Sequence, residues 1–303
     1  MQTARAAHSS RIDTRRIALP HGRALGLSEL GCRDGPPVFY FHGFPGSRLE
    51  AALLEETARQ LGARIVALDR PGYGESDYQP GRSIAEWPRD VAAVADALRI
   101  DRFSVLGVSG GGPYALACAA GLPGRVRAAA TVGGLGPMHL PSSSYGMSRR
   151  RRIGCALLRQ MRWLTRPTYA LLARRMRRNI DAELANLIAL TCPRDQRTLA
   201  RADVREILRL SFSEALRGEA KGGARDLRLY LSEWDFDVTT ITQPVALWHG
   251  AEDAIVPSAM SRQMGTEIRT AETFILPEEG HYSLPIDHAP GILRRLLETA
   301  ARN

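Results

Sequence analysis

The pentapeptide Gly107-Val108-Ser109-Gly110-Gly111 constrains this chain more than any other stretch. It follows an apolar run of β type, Phe103 to Leu106, and precedes an apolar helix-like run, Pro113 to Ala120. A serine at the centre of G-x-S-x-G, between strand and helix, sits on a sharp turn with its hydroxyl pushed out of the sheet. Glycines flank it because neighbouring backbone comes too close for side chains. The rest of the chain must then supply a base, an acid that orients the base, and an oxyanion site.

The surrounding pattern suits such an elbow. The first half alternates β and α signals, as in a mostly parallel sheet. Arg16 to Pro20 and Arg23 to Leu30 read as two strands joined at His21-Gly22, and Pro37 to His42 as a third. A helix is expected from about Arg48 to Leu61, a strand over Arg64 to Asp69, and a helix over Ser83 to Leu98. Ser83 and Glu86 supply a capping box for that last helix. Val126 to Val132 is a further strand. Residues 136–236 then read as consecutive helices. One runs through Ile153, Leu157 and Met161; a second starts at Pro167 and keeps step through Tyr169, Met176 and Ile180; a longer one runs from Leu199 to Gly218. Alternation resumes with strands Pro244 to His249 and Thr273 to Leu276 and helices Ser258 to Met264 and Ala289 to Ala301. The expected organisation is an α/β core, residues 1–135 and 237–303, interrupted by a helical cap over 136–236.

A serine hydroxyl becomes a nucleophile when a base takes its proton. Reacting groups in parallel sheets gather at the carboxyl ends of the strands, which narrows the search. His281 follows the strand ending at Leu276, and Asp253 follows the strand ending at His249. The order Ser109, Asp253, His281 results, with Glu252 as the neighbouring alternative acid. The strand before the cap offers no acid, because no Asp or Glu lies between Asp101 and Asp181. His42 and His249 end strands before glycine, where a histidine can brace loops; His42 is also a candidate substrate-binding residue. Developing negative charge needs N–H donors. Gly110 offers one at the start of a helix, and Phe44, in His42-Gly43-Phe44-Pro45-Gly46, the other, with its ring over the substrate pocket.

With these segments in place the chain resembles the α/β-hydrolase fold family over about residues 15–300. His42 to Gly46 is similar to its oxyanion loop, and Asp69-Arg70-Pro71-Gly72-Tyr73-Gly74-Glu75-Ser76 to its loop after the fourth strand. Gly107 to Gly111 is similar to its nucleophile elbow, His249 to Asp253 to its acid loop, and Gly280-His281 to its histidine loop. The resemblance implies an eight-stranded, mostly parallel sheet with a helical cap after strand six. It also implies a Ser109–His281–Asp253 triad acting through an acyl-enzyme, without metal or organic cofactor. A serine nucleophile separates the chain from aspartate-bearing epoxide hydrolases and haloalkane dehalogenases of the same fold. It is similar to proline iminopeptidase-like members, but the cap lacks carboxylates over 136–180, where those would hold a substrate amine.

A small carboxylic ester is the expected substrate. Amide, thioester or lactone cleavage, a lyase or perhydrolase reaction on the same triad, and a non-catalytic ligand-binding role are the alternatives. The whole formal charge of +9 resides in residues 136–240, with 20 basic against 11 acidic residues. Arginines 149–152, 174, 175, 177 and 178 read as a solvated face, as an entrance attracting anionic substrates, or as a contact for an anionic, lipid-like surface. No aromatic-interleaved basic motif points to nucleic acid. Four separated cysteines and an N-terminus without an apolar signal segment read as a cytoplasmic protein.

Overall fold

Among the described residues eight strands pair into one sheet: β1 (Thr14–Ala18), β2 (Ala24–Gly31), β3 (Pro37–Phe41), β4 (Arg64–Leu68), β5 (Phe103–Val108), β6 (Val126–Val132), β7 (Val245–Gly250) and β8 (Ala271–Leu276). This computed structural model describes residues 14–140, 145–217 and 221–303. His8, the arginines at 5 and 11, and Gly218 lie outside them.

The strand order is β1-β2-β4-β3-β5-β6-β7-β8, with β1–β2 and β2–β4 antiparallel and every other pair parallel. The chain leaves β3 towards β4 on one side and returns as β5 on the other. The loops after β3 and β5 therefore open into the crevice where a parallel sheet presents its ligand site.

Period-two alternation explains the layering. Phe39 and Phe41 of β3, with Val66 and Leu68 of β4, join one core; Val38, Tyr40, Ile65 and Ala67 join the core on the opposite face. Strands buried on both faces are apolar throughout, as parallel strands covered by helices must be. The first core is covered by α2 (Trp87–Ala97) and α3 (Gly112–Gly121), together with α10 (Ala259–Glu267); the second by α1 (Glu55–Gln60) and α12 (Ala289–Ala301).

Among the described residues, six α-helices lie between β6 and β7: α4 (Arg149–Gln160), α5 (Thr165–Arg178), α6 (Ile180–Ala189), α7 (Pro193–Leu199), α8 (Ala202–Ala215) and α9 (Lys221–Leu231). Of these, α5 to α9 build a third core around Tyr169, Leu208 and Phe212. Phe44, at the sheet edge of this layer, packs 5.4 Å from both Tyr169 and Tyr230. No helix among the described residues is long and apolar enough to cross a membrane.

Several boundaries differ from the sequence expectation for local reasons. The segment after Ser47 starts as a 3-10 turn over Arg48–Leu54 before α1 begins. Helix α2 starts at Trp87, not Ser83, although the Glu86 carboxylate does accept from Ser83 N at 3.0 Å. Ile180 opens a new helix because Asn179 leaves helical geometry and caps Ala182 N through its side chain. Leu199 closes the short α7, and Ala202 starts α8. The additional short helix α11 (Ser283–Asp287) follows His281.

At the elbow, Ser109 has φ +52°. That strain costs on the order of 1–3 kcal/mol and persists only where the surroundings fix it. A Cβ on Gly107 would lie 2.3 Å from the Gly111 carbonyl oxygen, and one on Gly111 2.0 Å from that of Phe41. Gly111→Ala is therefore expected to lower unfolding stability by about 3 kcal/mol, read from urea midpoints. Gly124→Ala, where a Cβ meets nothing within 4 Å, is expected to change it by no more than about 0.5 kcal/mol.

Candidate active site

The carboxyl ends of β5, β7 and β8 bring three distant residues together. Ser109 ends β5. Asp253 sits in the loop after β7, and His281 in the loop after β8. His281 Nδ1 lies 2.7 Å from Asp253 Oδ2. The other carboxylate oxygen accepts from Ile255 N at 2.8 Å and Val256 N at 2.7 Å. His249 Nε2 lies 3.3 Å from Asp253 Oδ2. His249 also reaches Ser261 Oγ at 2.7 Å and the Val256 carbonyl at 2.9 Å, and so braces this loop. Glu252 is exposed and holds no histidine; of the two neighbouring carboxylates, Asp253 is the one that pairs with His281.

Burial pushes the Asp253 carboxyl up, but the His281 charge and hydrogen bonds from both histidines outweigh it and hold the group well below the carboxylate range. Burial pulls the His281 imidazole down; the Asp253 charge and bond overcome this and raise it above 6.5. An ionised Asp253 fixes the proton on Nδ1, which leaves the Nε2 lone pair as the acceptor.

Ser109 and His281 line one cavity of about 700 Å3, counted with its open mouth. No hydrogen bond joins the two side chains in this structure; such contacts commonly tighten only when substrate is bound. The walls are largely apolar, with Leu53, Val108, Leu208, Phe212 and Ile286 among them. Phe44 also lines the cavity, and a Cβ on Gly110 would lie 2.7 Å from Phe44 Cβ, so the two expected oxyanion residues adjoin.

His42 is a correction. Its side chain is fully buried and does not line the cavity. Its Nε2 faces Arg70 N at 3.3 Å, its ring packs on Tyr73, and burial together with the nearby Arg70 charge keeps it well below 6.5. It is a neutral bracing residue, not a substrate contact.

Sequence reasoning missed the groups that hold the site from behind. The Arg70 guanidinium, fully buried, donates to the carbonyls of His42 and Gly43, the latter at 3.0 Å. The Gly43 carbonyl shares its peptide with the Phe44 N–H, so a positive charge on that oxygen orients the donor and strengthens it. From the other side Gly43 N donates to the Glu50 carboxylate at 3.0 Å, which Tyr40 OH also reaches at 2.6 Å. Arg70 is itself held by Asp226 of α9, at 2.9 Å from Nε, and Arg82, Tyr73 and Tyr114 bond to the same carboxylate. Tyr230, one helical turn on, lies 2.8 Å from the Gly110 carbonyl and 3.1 Å from Asp226 Oδ2. One inserted helix therefore reaches both residues expected to hold the oxyanion.

Two more inserted carboxylates do related work. Asp195 of α7 accepts the backbone N–H groups of His281, Tyr282 and Ser283 at 2.9, 2.9 and 2.7 Å. Glu214 of α8 accepts from Arg48 Nη1 at 2.8 Å, and Arg48 also pairs with Asp69. The sequence does carry one cue for α9. Gly222 and Gly223 sit inside a helix, where glycine costs about 1 kcal/mol, because Cβ atoms there would strike the Gly72 carbonyl and the Tyr169 ring.

Residues 36–287 match the family described as alpha/beta hydrolase fold, and the chain belongs to that family. It is 29% identical over 266 residues to the "Dihydrolipoyllysine-residue acetyltransferase component of acetoin cleaving system" of Pseudomonas putida, covering 86% of this chain but only 62% of that longer protein. It is 27% identical over 286 residues to the 2-hydroxymuconate semialdehyde hydrolase of Pseudomonas putida, covering 92% and 91% of the two chains. Among solved structures, the esterase EaEST of Exiguobacterium antarcticum superposes with a TM-score of 0.69 at 17% identity, covering 95% of this chain and 100% of that one. The latter likeness is one of fold.

Three outcomes follow for the site. With His281 as the base, only its neutral form accepts the serine proton, so kcat/KM is expected to fall as pH drops, with the acid limb centred above 6.5. Asp253→Asn is expected to lower kcat on the order of 10^4-fold through the wrong imidazole tautomer. Asp226→Asn is expected to lower kcat by about 10- to 100-fold with KM little changed, because it shifts donors that act mainly in the transition state. Steady-state kinetics over a pH series checks all three.

Proposed function

We propose that the chain is a serine hydrolase of small carboxylic esters or related acyl bonds. The observation that carries this reading is the His281–Asp253 pair at 2.7 Å beside a serine at φ +52°, with Ser109 and His281 on one largely apolar cavity.

In this reading Ser109 Oγ attacks the acyl carbonyl while His281 Nε2 takes its proton. The Phe44 and Gly110 N–H groups receive the oxyanion. His281 then protonates the leaving alcohol as the carbonyl–oxygen bond breaks, which leaves an acyl-enzyme. Water, deprotonated by the same imidazole, attacks the acyl carbonyl; the acid departs and Ser109 regains its proton. Asp253 stays ionised throughout and stabilises the imidazolium. Each step balances without a cofactor. The apolar walls fit an uncharged acyl chain, and the insertion over residues 136–236 serves as the cap that closes over it. The four unpaired cysteines fit a reducing compartment such as the cytoplasm.

Turnover of short p-nitrophenyl esters tests the reading. Ser109→Ala is expected to lower it on the order of 10^4-fold or more, and unchanged turnover would contradict the assignment. The same assay across esters, amides, thioesters and lactones ranks the acyl bonds; faster amide than ester cleavage would favour a peptidase instead.

A further inference from the structure

The most basic stretch of the chain is also where large apolar side chains face water. Residues 149–178 contain eleven arginines and no Asp or Glu. Arg151 and Arg159 donate to the carbonyls of Ile255 and His139, and Arg175 pairs with Glu183. The other eight are exposed and make no ion pair among the described residues. Beside them Ile153, Leu157, Met161, Trp163, Leu171 and Leu172 are exposed, Trp163 to 68%.

Neither helix earns this arrangement through folding. No residue of α4 is buried, and α5 buries only Thr165, Tyr169, Ala173 and Met176. Four arginines fill the first turn of α4, where the helix dipole disfavours positive charge. Unfavourable charge and unfavourable apolar exposure on the same two helices point to a partner that takes both.

We propose that α4 and α5 form a peripheral docking surface for an anionic lipid bilayer. Such a surface offers phosphate for arginine and an interfacial apolar layer for Trp, Leu and Ile. Other occupants fit less of the pattern. A second copy would bring the same uncompensated arginines face to face. A nucleic acid would satisfy the arginines but leave the aliphatic side chains in water. A small anion would engage two or three arginines only. The surface also lies beside the catalytic end of the sheet: the Arg151 guanidinium grips the Ile255 carbonyl, two residues past Asp253.

The inference does not rest on the triad, so it is tested on the full-length Ser109→Ala chain. Co-sedimentation is measured with phosphatidylcholine vesicles with and without phosphatidylglycerol, alongside tryptophan emission. Binding is expected only to the anionic vesicles, weakening with salt, with a blue shift that Trp163→Phe removes. The triple variant Arg149→Gln, Arg150→Gln, Arg152→Gln is expected to bind on the order of 100-fold more weakly, at roughly fivefold per arginine, with an unchanged circular dichroism spectrum. Four results would overturn the proposal. They are no preference for anionic vesicles, equal binding by the triple variant, a soluble dimer that shields Trp163, and tighter binding to duplex DNA than to the vesicles.

Discussion

A carboxylate taken out of water must be fully partnered, or it costs several kcal/mol. The site is organised around that requirement. Asp253 meets it with two histidines and two backbone N–H groups. Asp195 meets it with three consecutive N–H groups of the histidine loop. Asp226 meets it with two guanidinium groups and a set of tyrosine hydroxyls. The first two sets fix the loops after β7 and β8, and the third ties the loop after β4 to α3 and α9, so satisfying the carboxylates and fixing these loops are the same event.

This gives the helical insertion a second physical role beside lining the cavity through Leu208 and Phe212. Helices α7 and α9 are joined to the core by buried charge, whereas α4 leaves all of its residues at least partly exposed. Asp195 determines the path of the backbone at His281. Asp226, through Arg70 and Tyr230, determines the peptides at Phe44 and Gly110. A Cβ on Gly280 would lie 2.3 Å from an Asp195 oxygen, so glycine is needed there for the approach. Buried ion pairs of this kind add little net stability against an apolar replacement; their value lies in permitting one arrangement of the loops.

The sheet, the elbow and the order Ser109, Asp253, His281 were legible because each rests on local sequence: an apolar run, then turn residues, then a reactive side chain at a strand end. What was illegible depends on contacts remote in the chain. Asp195 meets His281 86 residues on, and Asp226 meets Arg70 156 residues back. No periodicity reports such a pairing. Arg70 stood inside a loop whose resemblance was evident, yet its role depends on the carbonyls it faces. His42 misled because a histidine ending a strand before glycine reads alike whether its ring turns to the cavity or to the core. Tyr73 and Arg70 turn it to the core. The helix boundaries slipped where capping decided them, as at Asn179 and Trp87, since tertiary packing can begin a helix several residues past its first plausible cap.

Everything proposed for this site depends on Ser109 being its activated nucleophile. A fluorophosphonate probe tests it most directly, with the modified peptide identified by mass spectrometry. One adduct is expected, on Ser109, formed faster as pH rises through the titration of His281 and strongly slowed in Asp253→Asn. An adduct on another residue, or no adduct in a folded chain that still turns over esters, would contradict it.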